Sequence, residues 1–276
     1  MAAAERDTSE LATRIAASLV MIAVAVLITY VGGLPFRILA AAAAAMMLLE
    51  WGDMHRVPRL WTWLGVVLMG LPLIGISQYY FPIAAHSPLL LLPEYFHPSL
   101  YGFAALAAAG ALLALLSRRL RMGWGLVYIG APAFALIVLN WAWAELVLWL
   151  FVVVWATDIF AFFAGRAIGG PKLAPRVSPN KTWAGLAGGI VGAALVGWGA
   201  GLLLGIEPAF FWLGAPLGLI AQLGDLYESA VKRRVGVKDS GRIIPGHGGV
   251  LDRLDGLLPA ALATYAVLVG LAAGHL

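Results

Sequence analysis

The sequence predicts an all-α, polytopic integral membrane protein with about nine transmembrane helices. Three observations carry that expectation. Of 276 residues, 62% are hydrophobic and only 12% are charged, against roughly 25% charged in soluble domains. The apolar residues fall in near-continuous runs of about 20, a length that spans a bilayer as helix and is unlike the alternating segments of a barrel. When the runs are threaded alternately through a bilayer, all but one of the 18 basic residues fall on the same side, as the inside bias of Lys and Arg requires.

The runs, bounded by their breakers, are Leu11–Val31, Pro35–Trp51, Leu60–Tyr80, Leu100–Ser117, Met122–Leu139, Trp141–Phe163, Trp183–Gly205, Ala209–Val231 and Val250–Ala272. The tail "MAAAERDTSELATR" is polar, and no small-residue cleavage site follows the first run. That run therefore reads as a retained span. The fifth and sixth runs nearly meet at Asn140, which demands a tight turn there. Residues 81–98 are apolar but broken by prolines, and read as an interfacial or re-entrant loop. With a cytoplasmic N-terminus, the inside segments hold Arg6, Arg14, Arg56, Arg59, Arg118, Arg119, Arg121, Arg166, Lys172, Arg176, Lys181 and the six basic residues of 232–256, leaving only Arg37 outside. One membrane domain is expected over residues 1–276, with spans one to six in 11–163 and the last three, with the catalytic loops, in 164–276. The absence of cysteine excludes disulfides, thiolate metal sites and cysteine nucleophiles.

Ionisable residues near membrane depth are costly and suggest function. Three such places share the inner side. In "WATDIFAFFAGR", Asp158 lies near the inner end of the sixth run; a functional role and an interhelical pair with Arg or Lys account for it equally well. In "GGPKLAPRVSPNKTWAG", Ser178 before Pro179 reads as a helix N-cap with proline at the first helical position. Asn180 and Lys181 would then stand at a helix N-terminus, a place that favours phosphate. Lys172 and Arg176 are explained equally by the inside bias. In "QLGDLYESAVKRR", the residues Asp225, Glu228, Ser229 and Lys232 fall on one helical face.

The run from Lys232 to Gly256, "KRRVGVKDSGRIIPGHGGVLDRLDG", then concentrates charge of both signs. Asp252 and Asp255 are three apart at the predicted start of the ninth span, where they also complement a helix dipole. Two helices can thus converge carboxylates suited to Mg²⁺, which takes one or two of them plus phosphates and water. Lys232, Arg233, Lys238 and Arg242 supply charge for phosphate oxygens. The glycines around His247 allow close backbone approach. The combination implies a divalent metal and a polyphosphate beside lipid headgroups.

That run, with Ser229, the Lys232–Arg233 pair, Lys238–Asp239, Pro245 to Gly249 and Asp252-Arg253-x-Asp255, resembles the signature of the phosphatidate cytidylyltransferase family. The similarity extends to "GDLYES", "KLAPRVSPNKTWAG" and "DIFAFFAGR", strong over the C-terminal half and only in hydropathy before it. Ala184 departs from the pattern, since many members carry an acid or amide after the tryptophan. The resemblance implies transfer of CMP from CTP to phosphatidic acid, giving CDP-diacylglycerol and pyrophosphate. It implies Mg²⁺ on Asp225 and Asp252, K⁺ as a second cation, a homodimer, and a bacterial inner membrane with the site facing the cytoplasm. Catalytic roles are expected for Asp225, Lys232, Lys238, Asp239, Asp252 and Asp255. Substrate contacts are expected from Asp158, Lys172, Ser178, Asn180, Lys181, Ser229, Arg233, Arg242, His247 and Gly248. Phosphatidate is ionised at neutral pH and needs no strong base, so His247 reads as structural or phosphate-contacting. Alternatives are a CTP-dependent lipid kinase, a transporter and a non-catalytic scaffold; no nucleic-acid partner is expected.

Overall fold

The computed structural model describes residues 20–76, 97–241 and 248–274. Its first half is a succession of helices: α1 (Val20–Val31), α2 (Gly33–Met54), α3 (Arg59–Gly70), a π-helical extension over Leu71–Ile76, α4 (His97–Ser117), α5 (Leu120–Ala142) and α6 (Ala144–Ile168). An antiparallel hairpin of β1 (Lys172–Ala174) and β2 (Ser178–Thr182) follows. Then come α7 (Trp183–Leu204), a 3-10 segment Pro208–Leu213, α8 (Gly214–Arg234), the short α9 (Leu251–Leu254) and α10 (Leu257–Ala272). Six of these segments are long and apolar enough to cross a membrane: α2, most of α4, α5, α6, α7 and the continuous stretch Pro208–Arg234. Among the described residues, α1, Arg59–Gly75 and α10 are apolar but shorter. The chain is a predominantly helical polytopic membrane protein, with six helices among the described residues meeting the spanning length against the nine expected. The polar tail lies outside the described residues, as does the proposed loop 81–98 except for His97 and Pro98, which open α4.

The centre of the bundle is α5, 72% of whose apolar window is buried, against 28% for α7. A helix hydrophobic all round belongs inside, and α2, α4, α6 and α10 surround this one. On the periphery Leu115, Leu195 and Leu203 stand exposed, the surface that acyl chains cover. The expected tight turn between the fifth and sixth spans is present, but at Trp143, whose φ of −163° breaks the helix. Asn140 remains helical and buried, donating its amide to the Thr29 carbonyl at 2.8 Å. A polar side chain in the bundle interior takes a partner there because lipid supplies none.

The most extensively packed helix pair is α6 with α7. The glycines of "GLAGGIVG" make it possible: a Cβ on Gly189 would come 3.0 Å from the Thr157 carbonyl oxygen. Gln222 of α8 donates to the Leu186 carbonyl at 3.1 Å and ties the third helix to this pair.

The hairpin corrects one expectation. Ser178-Pro179 does not cap α7. Ser178 pairs with Ala174 and Lys172 with Thr182, and the cap is Thr182, whose hydroxyl accepts from the Gly185 N–H at 3.0 Å. Proline's fixed φ suits an extended edge as well as a first helical turn. Pairing with β1 decides for the strand, so Lys181 stands just before the helix rather than in its first turn.

Candidate active site

The C-terminal ends of α6 and α8 and the short α9 meet beside the hairpin, and the predicted acids converge there. Asp225, Ser229 and Lys232 lie on one face of α8, as the spacing requires. Ser229 donates to Asp225 Oδ1 at 3.3 Å, and Lys181 reaches Asp225 Oδ2 from β2 at 2.6 Å. Lys232 bridges two further acids, Glu228 Oε2 at 2.5 Å and Asp252 Oδ1 at 2.7 Å. Asp158 is within the field of Asp225, Lys181 and Arg253.

Asp252 and Asp255 do not share a helical start with α10, as the sequence reading placed them. Asp252 lies on the single turn of α9, and Asp255 follows it before α10 begins at Leu257. The separation gives them different surroundings. Besides Lys232, Asp252 accepts from the Ser240 N–H at 3.0 Å and the Gly249 N–H at 2.8 Å. Burial acts to raise its pKa, but Lys232 and the Gly249 and Ser240 N–H donors outweigh burial and hold it below the ordinary carboxylate value. Asp255 is held well above that value by burial first, then by repulsion from Asp225 and Glu228, despite the Gly256 N–H at 2.7 Å.

Five carboxylates in this network, Asp158, Asp225, Glu228, Asp252 and Asp255, face three cations, Lys181, Lys232 and Arg253. Among the described residues no three acids or histidines form a ready-made metal cage. Asp225 and Asp252 offer hard carboxylate oxygens, the donor type that Mg²⁺ takes together with phosphates and water.

Other predicted residues stand further out. Arg233 directs its guanidinium to the carbonyls of Val177 and Val237, both at 3.2 Å, so in this arrangement it braces the hairpin tip against the turn after α8. Lys172, Asn180, Lys238 and Asp239 are exposed, and Ser178 is half-buried. Gly248 has a φ of +79°, and a Cβ there would come 2.9 Å from Asp252 Oδ2, so glycine is required on both counts. Arg242 and His247 lie outside the described residues.

Sequence reasoning missed Glu50. It is an acid near the C-terminal end of the second apolar run, the same signal that drew attention to Asp158. It is buried, and its oxygens accept from Ser240, Val250 and Leu251. Arg253 was read only as part of a motif, yet its charge faces Asp158.

Acids and bases drawn from three helices and a hairpin gather at one end of the membrane bundle and form a candidate enzyme site for phosphate-bearing substrates. A model of the cytidylyltransferase family matches residues 12–271. A phosphatidate cytidylyltransferase of Brucella abortus biovar 1 (strain 9-941) is 38% identical over 281 aligned positions, covering 93% of each chain. One from Rickettsia bellii (strain RML369-C) is 43% identical over 156, covering 50% of this chain and 64% of its own. One from Helicobacter pylori (strain ATCC 700392 / 26695) is 48% identical over 127, covering 45% and 47%. The chain belongs to the cytidylyltransferase family. The match reaches well into the N-terminal spans, where the sequence reading found only hydropathy in common.

Proposed function

We propose that the chain transfers CMP from CTP to phosphatidic acid, forming CDP-diacylglycerol and releasing pyrophosphate. The observation that carries this reading is the convergence of Asp225, Asp252, Lys181 and Lys232 at the inner end of a lipid-facing bundle. The family match over nearly the whole chain supports it.

In the proposed reaction a phosphate oxygen of phosphatidate forms a bond to the α-phosphorus of CTP. The bridging bond from the α-phosphorus to the β-phosphate oxygen breaks, and its electron pair leaves with pyrophosphate. Both partners are anions, so catalysis is chiefly positioning and charge neutralisation. Lys181 stands just before α7, where its ammonium favours an incoming phosphate. Lys232, Lys238 and Arg242 neutralise the leaving pyrophosphate. Asp225 and Asp252 hold Mg²⁺, with K⁺ as a second cation. When bound, the divalent ion neutralises phosphate oxygens and stabilises the leaving group. We place the site on the cytoplasmic face of a bacterial inner membrane and the enzyme as a homodimer, following the basic-residue bias and the family resemblance.

The test uses purified protein in detergent with phosphatidic acid and CTP labelled separately at the α- and γ-phosphates. Metal-dependent α-label in the lipid and γ-label in pyrophosphate are expected, both lost in Asp225→Asn. γ-Label in the lipid would mean a kinase instead. No labelled lipid under any condition would overturn transfer altogether.

A further inference from the structure

Glu50 lies near the inner end of α2, far from every candidate site residue in sequence. It is 2% exposed. Its oxygens accept from Ser240 Oγ at 3.1 Å, the Val250 N–H at 2.8 Å and the Leu251 N–H at 2.9 Å. Among the described residues no Lys or Arg pairs with it. A buried carboxylate without a cation is costly unless donors surround it. Here two of the three donors are the backbone N–H groups of Val250 and Leu251.

The loop is shaped to receive this carboxylate. A Cβ on Gly241 would come 2.7 Å from Glu50 Oε1, and one on Gly249 would come 2.6 Å from Oε2. Both sides of the 242–248 segment are therefore seated against one side chain. The same two sides also meet Asp252, through the N–H groups of Ser240 and Gly249. Donors at 240, 249, 250 and 251 are thus divided between two carboxylates, one inside the site and one behind it. Asp252 in turn holds Lys232.

We infer that Glu50 is a positioning residue for the transfer reaction: from behind the loop, it fixes where Asp252 and Lys232 stand, without touching substrate. This rests on the cytidylyl transfer proposed above. Glu50→Gln keeps the shape but puts an amide N–H₂ where a carboxylate oxygen accepts, so at least one loop donor loses its partner.

The experiment measures kcat, KM for CTP and the thermal unfolding midpoint in detergent for wild type, Glu50→Gln and Ser240→Ala. Wild-type α-label transfer is read first; its absence would sink the transfer reading itself, separately from the role of Glu50. Given transfer, Glu50→Gln is expected to unfold near the wild-type midpoint with kcat lowered about 100-fold, as a small misplacement of catalytic groups can cost, and with KM changed far less. Ser240→Ala should move the same way by a smaller factor. A folded Glu50→Gln with wild-type kcat would overturn the inference. So would a rise in KM as large as the fall in kcat, which would mark a binding residue. If Glu50→Gln does not fold, Ser240→Ala decides: lower kcat at an unchanged midpoint supports the inference, and unchanged kcat overturns it.

Discussion

Lys232 Nζ stands 2.7 Å from Asp252 Oδ1 and 2.5 Å from Glu228 Oε2, joining the end of α8 to the turn of α9. Lys232 and Glu228 are buried and Asp252 is half-buried, with side-chain exposures of 11%, 1% and 11%. Removing the shared cation leaves two carboxylates facing each other out of water, and breaking a buried pair in this way costs about 3 kcal/mol. Lys232→Met should therefore lower the unfolding midpoint in detergent sharply. Lys232→Met combined with Glu228→Gln should recover at least about 1 kcal/mol of that loss, because one of the two charges is gone. Additive losses in this double-variant comparison would mean that the cation between the acids is not what holds the turn.

Thr182, not Ser178, caps α7. Thr182→Ala should cost about 1 kcal/mol, the usual worth of a threonine cap. Ser178→Ala should change stability by less than about 0.5 kcal/mol, as surface changes away from such features do. Chemical denaturation of the two variants side by side checks this, and the opposite ranking would restore the cap to Ser178.

That exchange shows what the sequence could convey. Asp225, Ser229 and Lys232 were placed on one face correctly because helical spacing is local and the whole pattern lies within eight residues. The apolar helices were legible for the same reason. Ser178-Pro179 misled because its local signal fits two backbones, and the choice is made by pairing with Lys172–Ala174. Glu50 was illegible as a loop anchor because its contacts lie 190 to 201 residues away, and no periodicity encodes a contact of that range. The different surroundings of Asp252 and Asp255 were hidden too, since they depend on where N–H groups of the loop point.

Close approach of α6 and α7 rests on the absence of side chains. A Cβ on Gly189 would meet Gln222 Nε2 at 2.5 Å and the Thr157 carbonyl at 3.0 Å, whereas one on Gly199 meets nothing within 4 Å. Gly189→Val should destabilise by about 1–3 kcal/mol through overpacking. Gly199→Ala should be neutral or stabilising by up to about 1 kcal/mol, because alanine favours helix. Equal effects of the two substitutions on the unfolding midpoint would show that helix propensity, not packing against α6, governs both positions.

Asp255 carries the clearest pH signature. Burial and the charges of Asp225 and Glu228 raise its folded pKa well above 3.8. The folded state therefore holds its proton more tightly than the unfolded chain does. In the window from about 3.8 up to the raised value, the unfolded state binds fewer protons, so stability falls as pH rises. Below that window both states are protonated and nothing is lost. Asp255→Asn removes the titration and the repulsion together. Its unfolding midpoint should match wild type near pH 4 and exceed it increasingly toward neutral pH, while cytidylyl transfer falls. A gain in stability that is independent of pH would assign the effect to packing, and a loss at neutral pH would mean that the ionised carboxylate is held by donors rather than opposed by its neighbours.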